Sequence, residues 1–543
     1  MTQMDYKYSL LGSVADDYRK RPLLLQVDDT PMNLFAVLEV KREPPQRWGA
    51  LSGFRRIRIY SFLFGLAVMF FITASYILTG DKKGLLLTPS PYHFSVLVSP
   101  GPLTFNLSVV KDDAHIREVV RSIASKVELG SSRHLPDLKA LVNSEPHLFS
   151  VIPRKFLTGI KNPCWYEEYS GNVSSDPYRT NLYAHYSKRF RTVFQHLRST
   201  FREHLIHRDG KAYRMRCLPY FYIIGQPKCG TTDLYDRLRL HPDVKFTTFK
   251  EPHWWTRKRF GIIRLSEGFH DRYPVEDYLD LFDQAAYQIQ GNLSANVSAS
   301  PSQPNVIIGE ASASTMWDNN AWVYFYDNTT EGEPPFLIQD FVHALQPHAR
   351  FIVMLRDPVE RLYSDYLYFG ISNKSAEDFH EKVSESLQLF EGCLTEYTMR
   401  SCVYNTTVNN AMPVRLQVGL YIVYLMDWLS VVSREQLLVL RLEDHATNRK
   451  YTMHRVFDFL DLEPPTKEIE AEITESPASN TRRPADKNLG PMLPITKEIL
   501  GDFYRPFNIK LAKVLRNDSF IWDNNSKLQK PPPPPFLSST ENH

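Results

Sequence analysis

The sequence predicts an α/β fold, a central and mainly parallel sheet flanked by helices, with a single transmembrane helix ahead of it. Three observations carry that prediction. Apolar runs of strand length recur at residues 220–224, 244–249, 306–310, 350–355 and 437–442, with helix-length segments between them. This alternation is the sequence form of a parallel sheet covered on both faces. The first of these runs turns through Gly225, Pro227 and Gly230 into a helix-like segment with Leu234 and Leu238 one turn apart. A strand, a glycine-bearing loop and a helix N-terminus thus follow one another directly. Finally, residues 59–80 carry no charge, and a helix of about 20 apolar residues crosses a bilayer core.

Length and composition leave the function open but bound it. A chain of 543 residues is long enough for one large α/β domain with appendages. A net charge of +3 gives no global field of the kind a nucleic-acid binder shows, so no nucleic-acid partner is expected. Five cysteines are too few for a disulfide scaffold and show no zinc-type clustering, and nothing in the reading calls for a metal.

In chain order, residues 1–58 read as a cytoplasmic tail, polar and irregular, with a basic end at Lys41, Arg42, Arg47, Arg55, Arg56 and Arg58. Residues 59–80 are the signal-anchor helix. Only Lys82 and Lys83 follow it closely, so the positive-inside rule puts the N-terminus in the cytosol and the bulk of the chain across the membrane, a type II arrangement. Nine Asn-x-Ser/Thr sequons, at Asn106, Asn172, Asn292, Asn296, Asn328, Asn373, Asn405, Asn517 and Asn524, all come after the anchor, compatible with lumenal glycosylation. Residues 81–160 read as a lumenal stem containing some helix-like pieces, residues 161–530 as the main globular domain, and the proline-led residues 531–543 as a disordered tail. Residues 182–205 and 414–432 are further expected helices.

The chemistry concentrates at two strand ends. The loop Gly225-Gln226-Pro227-Lys228-Cys229-Gly230-Thr231-Thr232 is an anion cradle, because its backbone N–H groups and the helix dipole converge on one point. Its two glycines have the outer spacing of a Walker A loop, but Thr231 stands where that motif requires lysine, and the only lysine is Lys228. That argues against a nucleotide triphosphatase or kinase. The second site is Leu355-Arg356-Asp357-Pro358-Val359-Glu360-Arg361-Leu362-Tyr363-Ser364. Asp357 suits an N-cap, Pro358 the first helical position, and Glu360 the return half of a capping box. Arg356 then ends a strand at the sheet edge where open α/β folds bind ligands, and its planar fork fits a phosphate.

Pro-Lys-x-Gly-Thr-Thr followed downstream by Arg-Asp-Pro-x-x-Arg-x-x-Ser resembles the sulfotransferases that use 3′-phosphoadenosine 5′-phosphosulfate (PAPS). Gly419-Leu420-Tyr421, Leu425, Trp428-Leu429 and Arg441-Leu442-Glu443-Asp444 are similar to the same region of the Golgi carbohydrate sulfotransferases, and the likeness spans about residues 215–530. With Phe249-Lys250-Glu251-Pro252-His253-Trp254-Trp255, the resemblance implies a Golgi membrane enzyme with a P-loop-like sulfotransferase domain. It implies sulfation of O6 of GalNAc 4-sulfate in chondroitin sulfate chains, with dermatan sulfate as a further partner. It implies PAPS as co-substrate, held by Lys228, Cys229, Gly230, Thr231 and Thr232 at the 5′-phosphate and by Arg356 and Ser364 at the 3′-phosphate. Glu251 matches a general base, Lys228 a neutraliser of the leaving oxygen, and His253 a group that orients or shares the base.

The stretch Gly309-Glu310-Ala311-Ser312-Ala313 departs from related heparan sulfotransferases, which tend to carry lysine after that glutamate, so a second catalytic lysine is not placed. Arg482, in Asn480-Thr481-Arg482-Arg483, is the candidate on the adenine side. Trp254 and Trp255 with Arg257, Lys258 and Arg259 offer either a sugar platform or buried core with solvated charges. Rival readings are another Golgi glycosaminoglycan sulfotransferase with a different acceptor, a glycosyltransferase, for which this sequence lacks the Asp-x-Asp of a metal-bound sugar nucleotide, and a non-catalytic glycan-binding membrane protein, which leaves the phosphate loops unexplained. Cys393 and Cys402, close in sequence and in an oxidising compartment, are expected to form a disulfide, with Cys229 a thiol and Cys164–Cys217 left open.

Overall fold

A computed structural model describes residues 112–127, 133–247, 250–262, 270–295, 306–325, 332–370 and 374–523. The anchor segment 59–80 lies outside these residues. Among the described residues, no helix is long and apolar enough to cross a membrane.

A small antiparallel sheet comes first in the chain, with β1 (Cys164–Glu168), β2 (Ile206–Arg208) and β3 (Lys211–Cys217) in the order β1-β3-β2. Cys164 faces Cys217 across the β1–β3 ladder, and the two form a disulfide. Little in the sequence signals this sheet, because β1 and β2 are short and carry charged or polar residues that break the alternation.

The five expected strands form the second sheet. They are β4 (Phe221–Gly225), β5 (Val244–Phe246), β6 (Ile307–Ala311), β7 (Arg350–Leu355) and β8 (Leu437–Arg441). The order is β5-β6-β4-β7-β8, and every pairing is parallel. All of β4 and β6 is buried. Both faces are covered, which is why these strands read as continuous apolar runs. From β4 the chain moves out to β5, returns to β6 and crosses to β7, so the winding reverses at β4. That switch point is where the C-terminal strand ends open a crevice.

The helices follow the sequence with two breaks. The expected helix 182–205 is divided: Leu182–Tyr186 stops at Ser187, Lys188–Thr200 follows, and Phe201–His204 tightens to a 3₁₀ turn. The expected helix 414–432 begins as a 3₁₀ turn, Leu416–Gly419, and becomes α-helical only over Tyr421–Leu429. A Cβ on Gly419 would lie 2.7 Å from the Tyr504 ring, so this close approach accommodates only hydrogen. The stretch read as stem carries three helices, Asp113–Ser125, Leu138–Ser144 and Pro146–Val151. The first places Ile116, Val119, Val120 and Ile123 in the main core, and Arg117 pairs with Glu498 at 2.6 Å.

The second disulfide joins Cys393 to Cys402, as expected, while Cys229 remains a buried thiol. The Cys164–Cys217 bridge closes the longer loop, with a sequence separation of 53 against 9. Chain entropy alone makes the longer one worth roughly 4 kcal/mol and the shorter roughly 2.5. Replacing Cys164 and Cys217 together by alanine is therefore expected to lower the denaturant midpoint more than replacing Cys393 and Cys402. Equal shifts in a urea titration would show that the ordering fails.

Candidate active site

Every strand of the parallel sheet delivers a polar group at its C-terminal end: Gln226–Gly230 after β4, Lys250–His253 beyond β5, Ser312–Ser314 after β6, Arg356 after β7, and Glu443 just after β8. The winding of the sheet, not proximity in sequence, brings these five loops together.

The β4 loop passes through Lys228 at φ 65° and Gly230 at φ 86° before the helix Thr231–Leu238 begins. A Cβ on Gly230 would stand 2.6 Å from Leu442 Cδ1, so glycine is needed both for the left-handed turn and for the close packing. The first-turn amides of Thr231 and Thr232 have no partner within the helix and are free to meet an anion. Cys229 turns inward, its Sγ 3.8 Å from the Tyr421 hydroxyl, and burial pushes its thiol up to about 12. Its contribution to the cradle is its backbone.

Lys228 Nζ sits 3.7 Å from the centre of the Tyr368 ring. Burial lowers its pKa to about 8; Asp365 opposes the fall, while Arg483, Arg356 and Arg415 add to it. Arg356 Nη1 donates to the Lys228 carbonyl at 3.5 Å, and Tyr421 Oη donates to the Arg356 carbonyl at 2.9 Å. The helix Pro358–Phe369 starts as expected, with Asp357 accepting from the Val359 amide. The return half of the cap is different: the Asp357 amide donates to Glu443 at 2.9 Å, and Glu360 instead faces Arg356 and Lys497. Glu443, at the end of the third sequence motif, therefore locks the β7 loop.

Ser364 is half-buried on the same helix, next to Tyr363, and the Arg482 guanidinium lies 5.5 Å from the Tyr363 ring centre. Arg483 binds Asp486 and the Leu367 and Tyr368 carbonyls. Asp233 of the phosphate-loop helix accepts from the Ser479 amide at 2.7 Å, which ties the 480–483 loop to the cradle.

Beyond β5, Glu251 and His253 both occupy the left-handed region, at φ 67° and 52°. The chain following β6 holds them there. Ala311 O accepts from the Glu251 amide, Ser312 Oγ accepts from the His253 amide at 3.1 Å, and the Ala313 amide points at Glu251 Oε1 at 3.4 Å. His253 Nε2 lies 3.4 Å from Glu251 Oε2. Glu251 leaves about a third of its side chain open, 32%. Burial acts to raise its pKa, but Lys250 and His253 outweigh it and hold the carboxyl well below the usual range. Burial lowers the pKa of His253, so its imidazole is neutral at neutral pH.

Lys250 is the residue sequence reasoning missed. Given no role there, it is largely buried, and its Nζ donates to Thr231 Oγ1 at 3.1 Å and Thr232 Oγ1 at 3.0 Å, with Glu251 at 3.7 Å. The signal was available: a lysine immediately before the matched base, after the strand that follows the phosphate loop in the chain. Of the two readings left open for Trp254 and Trp255, the structure supports the buried core. Both are core residues, their indoles donating to the Tyr273 carbonyl and the Tyr278 hydroxyl, and Arg257 is engaged by Asp318.

The geometry joins an anion cradle, a desolvated lysine among arginines, and a half-open carboxylate beside a second lysine. Residues 218–516 match the family of the sulfotransferase domain. The chain belongs to the sulfotransferase family. Within it, the likeness is to carbohydrate sulfotransferases: the sequence is 60% identical over 518 residues to carbohydrate sulfotransferase 15 of Homo sapiens, covering 92% of each chain, and equally to that of Mus musculus. Among solved structures, a sulfotransferase from Alicyclobacillus acidocaldarius is 21% identical, covering 56% of this chain and 99% of that one with a TM-score of 0.33.

Behind Glu251, Glu310 is buried on β6, with one carboxyl oxygen bonded to Ser312 Oγ at 2.6 Å and the other without a partner. Burial and the nearby Glu251 push it up to about 7. A carboxyl with a raised folded-state pKa stabilises the fold below its unfolded value, near 4.5, and that contribution is lost as pH rises through 7. Glu310→Gln removes the titration. Its thermal midpoint is expected to gain on the wild type between pH 5 and pH 8, by on the order of 3 kcal/mol of stability at full ionisation. Parallel pH curves for the two proteins would show that Glu310 does not titrate in this range.

Proposed function

We propose that the protein transfers the sulfuryl group of PAPS to O6 of GalNAc 4-sulfate in chondroitin sulfate chains, and in dermatan sulfate, with Glu251 as the general base. The observation that carries this reading is Lys250: one ammonium bonded to both threonines of the phosphate loop and adjacent to the proposed base, which ties a donor site to an acceptor site. The acceptor rests on the likeness of the loop motifs and on the 60% identity to carbohydrate sulfotransferase 15.

The residues fit the donor. Burial depresses Lys228, the neighbouring Arg483, Arg356 and Arg415 add to the fall, and a phosphate dianion relieves the repulsion among these cations. The 228–232 backbone with Thr231 and Thr232 would hold the 5′-phosphate, Arg356 and Ser364 the 3′-phosphate, and Arg482 the adenine side. In the reaction the acceptor O6 bonds to sulfur, the sulfur–oxygen bond to the phosphate breaks with its electron pair leaving on the phosphate, and the O6 proton passes to Glu251. Lys228 and Lys250 stabilise the charge that develops on the leaving oxygen and the sulfuryl group. Lys250 has a second effect. At rest it suppresses the basicity of Glu251. An anion in the cradle takes up part of its charge, so the base strengthens only when the donor is bound.

Glu251→Gln keeps the shape and removes the basic group, so kcat with labelled PAPS is expected to fall about 10²–10⁴-fold with binding of the product nucleotide largely unchanged. His253→Ala is the control, and a larger loss there with Glu251→Gln near wild type would reassign the base. Disaccharide analysis after incubation with a glycosaminoglycan panel tests the acceptor: label on a unit other than 4-sulfated GalNAc overturns that assignment.

The proposal includes location: residues 59–80 anchor the chain in the Golgi membrane with the domain in the lumen. The uncharged run, its basic N-terminal flank and the sequons that follow support it. The two disulfides fit an oxidising compartment. Protease added to sealed microsomes is expected to spare the domain until detergent is present, and digestion without detergent would reverse the orientation.

A further inference from the structure

The chain after β6 does more than hold the Glu251 loop by its backbone. Ser314 is buried, and its Oγ stands 2.7 Å from His253 Nδ1 and 3.0 Å from Thr256 Oγ1. The other ring nitrogen, Nε2, faces Glu251 Oε2 at 3.4 Å. A serine hydroxyl has one proton, so the chain of contacts has only two polarities. In one, Thr256 donates to Ser314, Ser314 donates to Nδ1, and the proton on Nε2 points at the Glu251 carboxylate. In the other, Nδ1 carries the proton, Ser314 turns to Thr256, and the Nε2 lone pair confronts carboxylate oxygens. Glu251 is ionised, so the second arrangement is repulsive and the first is required.

We infer that Ser314 is a positioning residue for this reaction: by donating to His253 Nδ1 it fixes the Nε2–H tautomer, so that His253 donates to Glu251 and keeps it an oriented carboxylate base. This rests on the reading of Glu251 as the base. The other groups around the pair are accounted for. Lys250 and Glu310 act on Glu251, Arg257 and Asp318 act on His253, and Thr256 completes the hydroxyl chain. None of them contacts Nδ1; Ser314 does. The same logic accounts for the position of the serines in the stretch that lacks the lysine of related enzymes. Ser312 takes the His253 amide and Ser314, two residues on, takes the ring.

Removing the hydroxyl frees the ring to adopt the Nδ1–H tautomer, and Glu251 then loses a donor. A carboxylate that loses a hydrogen-bond donor becomes easier to protonate. In the full-length enzyme, Ser314→Ala is therefore expected to lower kcat about tenfold, leave KM for PAPS unchanged, and move the acid limb of the kcat–pH profile to higher pH. His253→Ala is expected to move the same limb in the same direction, and the double variant to add nothing further, because both act through one bond. Ser314→Thr keeps the hydroxyl and is expected to restore the limb. If the alanine protein does not accumulate, Ser314→Cys, with similar shape and a weak donor, carries the alanine expectation. An unmoved acid limb, or additive losses in the double variant, overturns the role of Ser314. Failure of the base reading is separate and shows as Glu251→Gln turning over near the wild-type rate.

Discussion

The structure is governed by the need to gather positive charge at one point and keep the gathered state folded. Lys228, Arg356, Arg415 and Arg483 converge on the β4 loop, and Lys250 meets the same loop at Thr231 and Thr232. Like charges at such range repel strongly once water is thinned out. The fold offsets this with few anions. Asp365 accepts from Arg415 Nε at 2.8 Å and faces Arg361 Nη1 at 3.3 Å, and Arg361, fully buried, spends its other fork nitrogen on the Arg415 carbonyl. The Tyr368 face lies under Lys228. Glu360 faces Arg356 and Asp486 binds Arg483, while Asp365 is already shared between Arg415 and Arg361, so an anionic ligand at the loop is what completes the neutralisation of Lys228.

The base loop has the complementary problem of conformation. Glu251 and His253 adopt left-handed φ values without being glycine, asparagine or aspartate, at a cost of order 1–3 kcal/mol each. Consecutive residues after β6 offset it: a carbonyl at 311, a hydroxyl at 312, an amide at 313 and a hydroxyl at 314 meet the loop one after another. A strand extension acting as a template fixes both where the carboxylate points and which imidazole nitrogen it meets. The charge cluster and the template touch at Lys250, which belongs to the base loop by sequence and to the phosphate loop by contact.

The parallel sheet was legible because burial on both faces writes itself into sequence as uninterrupted apolar runs, and all five runs are strands. The phosphate loop and the Arg356 helix start were legible because their backbone geometry demands particular residues: glycine at 230, aspartate at 357, proline at 358. What could not be read depends on pairing across long sequence separation. Glu443 caps a loop 86 residues away, Ser314 meets a histidine 61 residues earlier, and Arg415 reaches Asp365 across 50. No local pattern marks those partners. Trp254 and Trp255 stayed undecided for a related reason: an aromatic pair beside a carboxylate fits a sugar platform and a core equally, and only the Tyr273 and Tyr278 contacts decide for the core.

The two halves of the site have different structural origins. The donor side is built within residues 218–516, the stretch that matches the sulfotransferase domain. The Glu251 loop is braced from outside it. Tyr183, on a helix ahead of that stretch, donates its hydroxyl to the Pro252 carbonyl at 3.1 Å, between Glu251 and His253. Its neighbour Asn181 binds Asp280, and Asp280 with Asp283 receives the fully buried Arg216 of β3. That strand is tied to β1 by the Cys164–Cys217 bridge. A chain of buried contacts thus runs from the disulfide-linked sheet to the base loop, carried by residues 164–217 that precede the family domain. Donor chemistry is common to enzymes that use one co-substrate, and the acceptor is what distinguishes them. If Glu251 is the base, the sheet and helix that brace its loop through Tyr183 and Asp280 sit where acceptor geometry would be set.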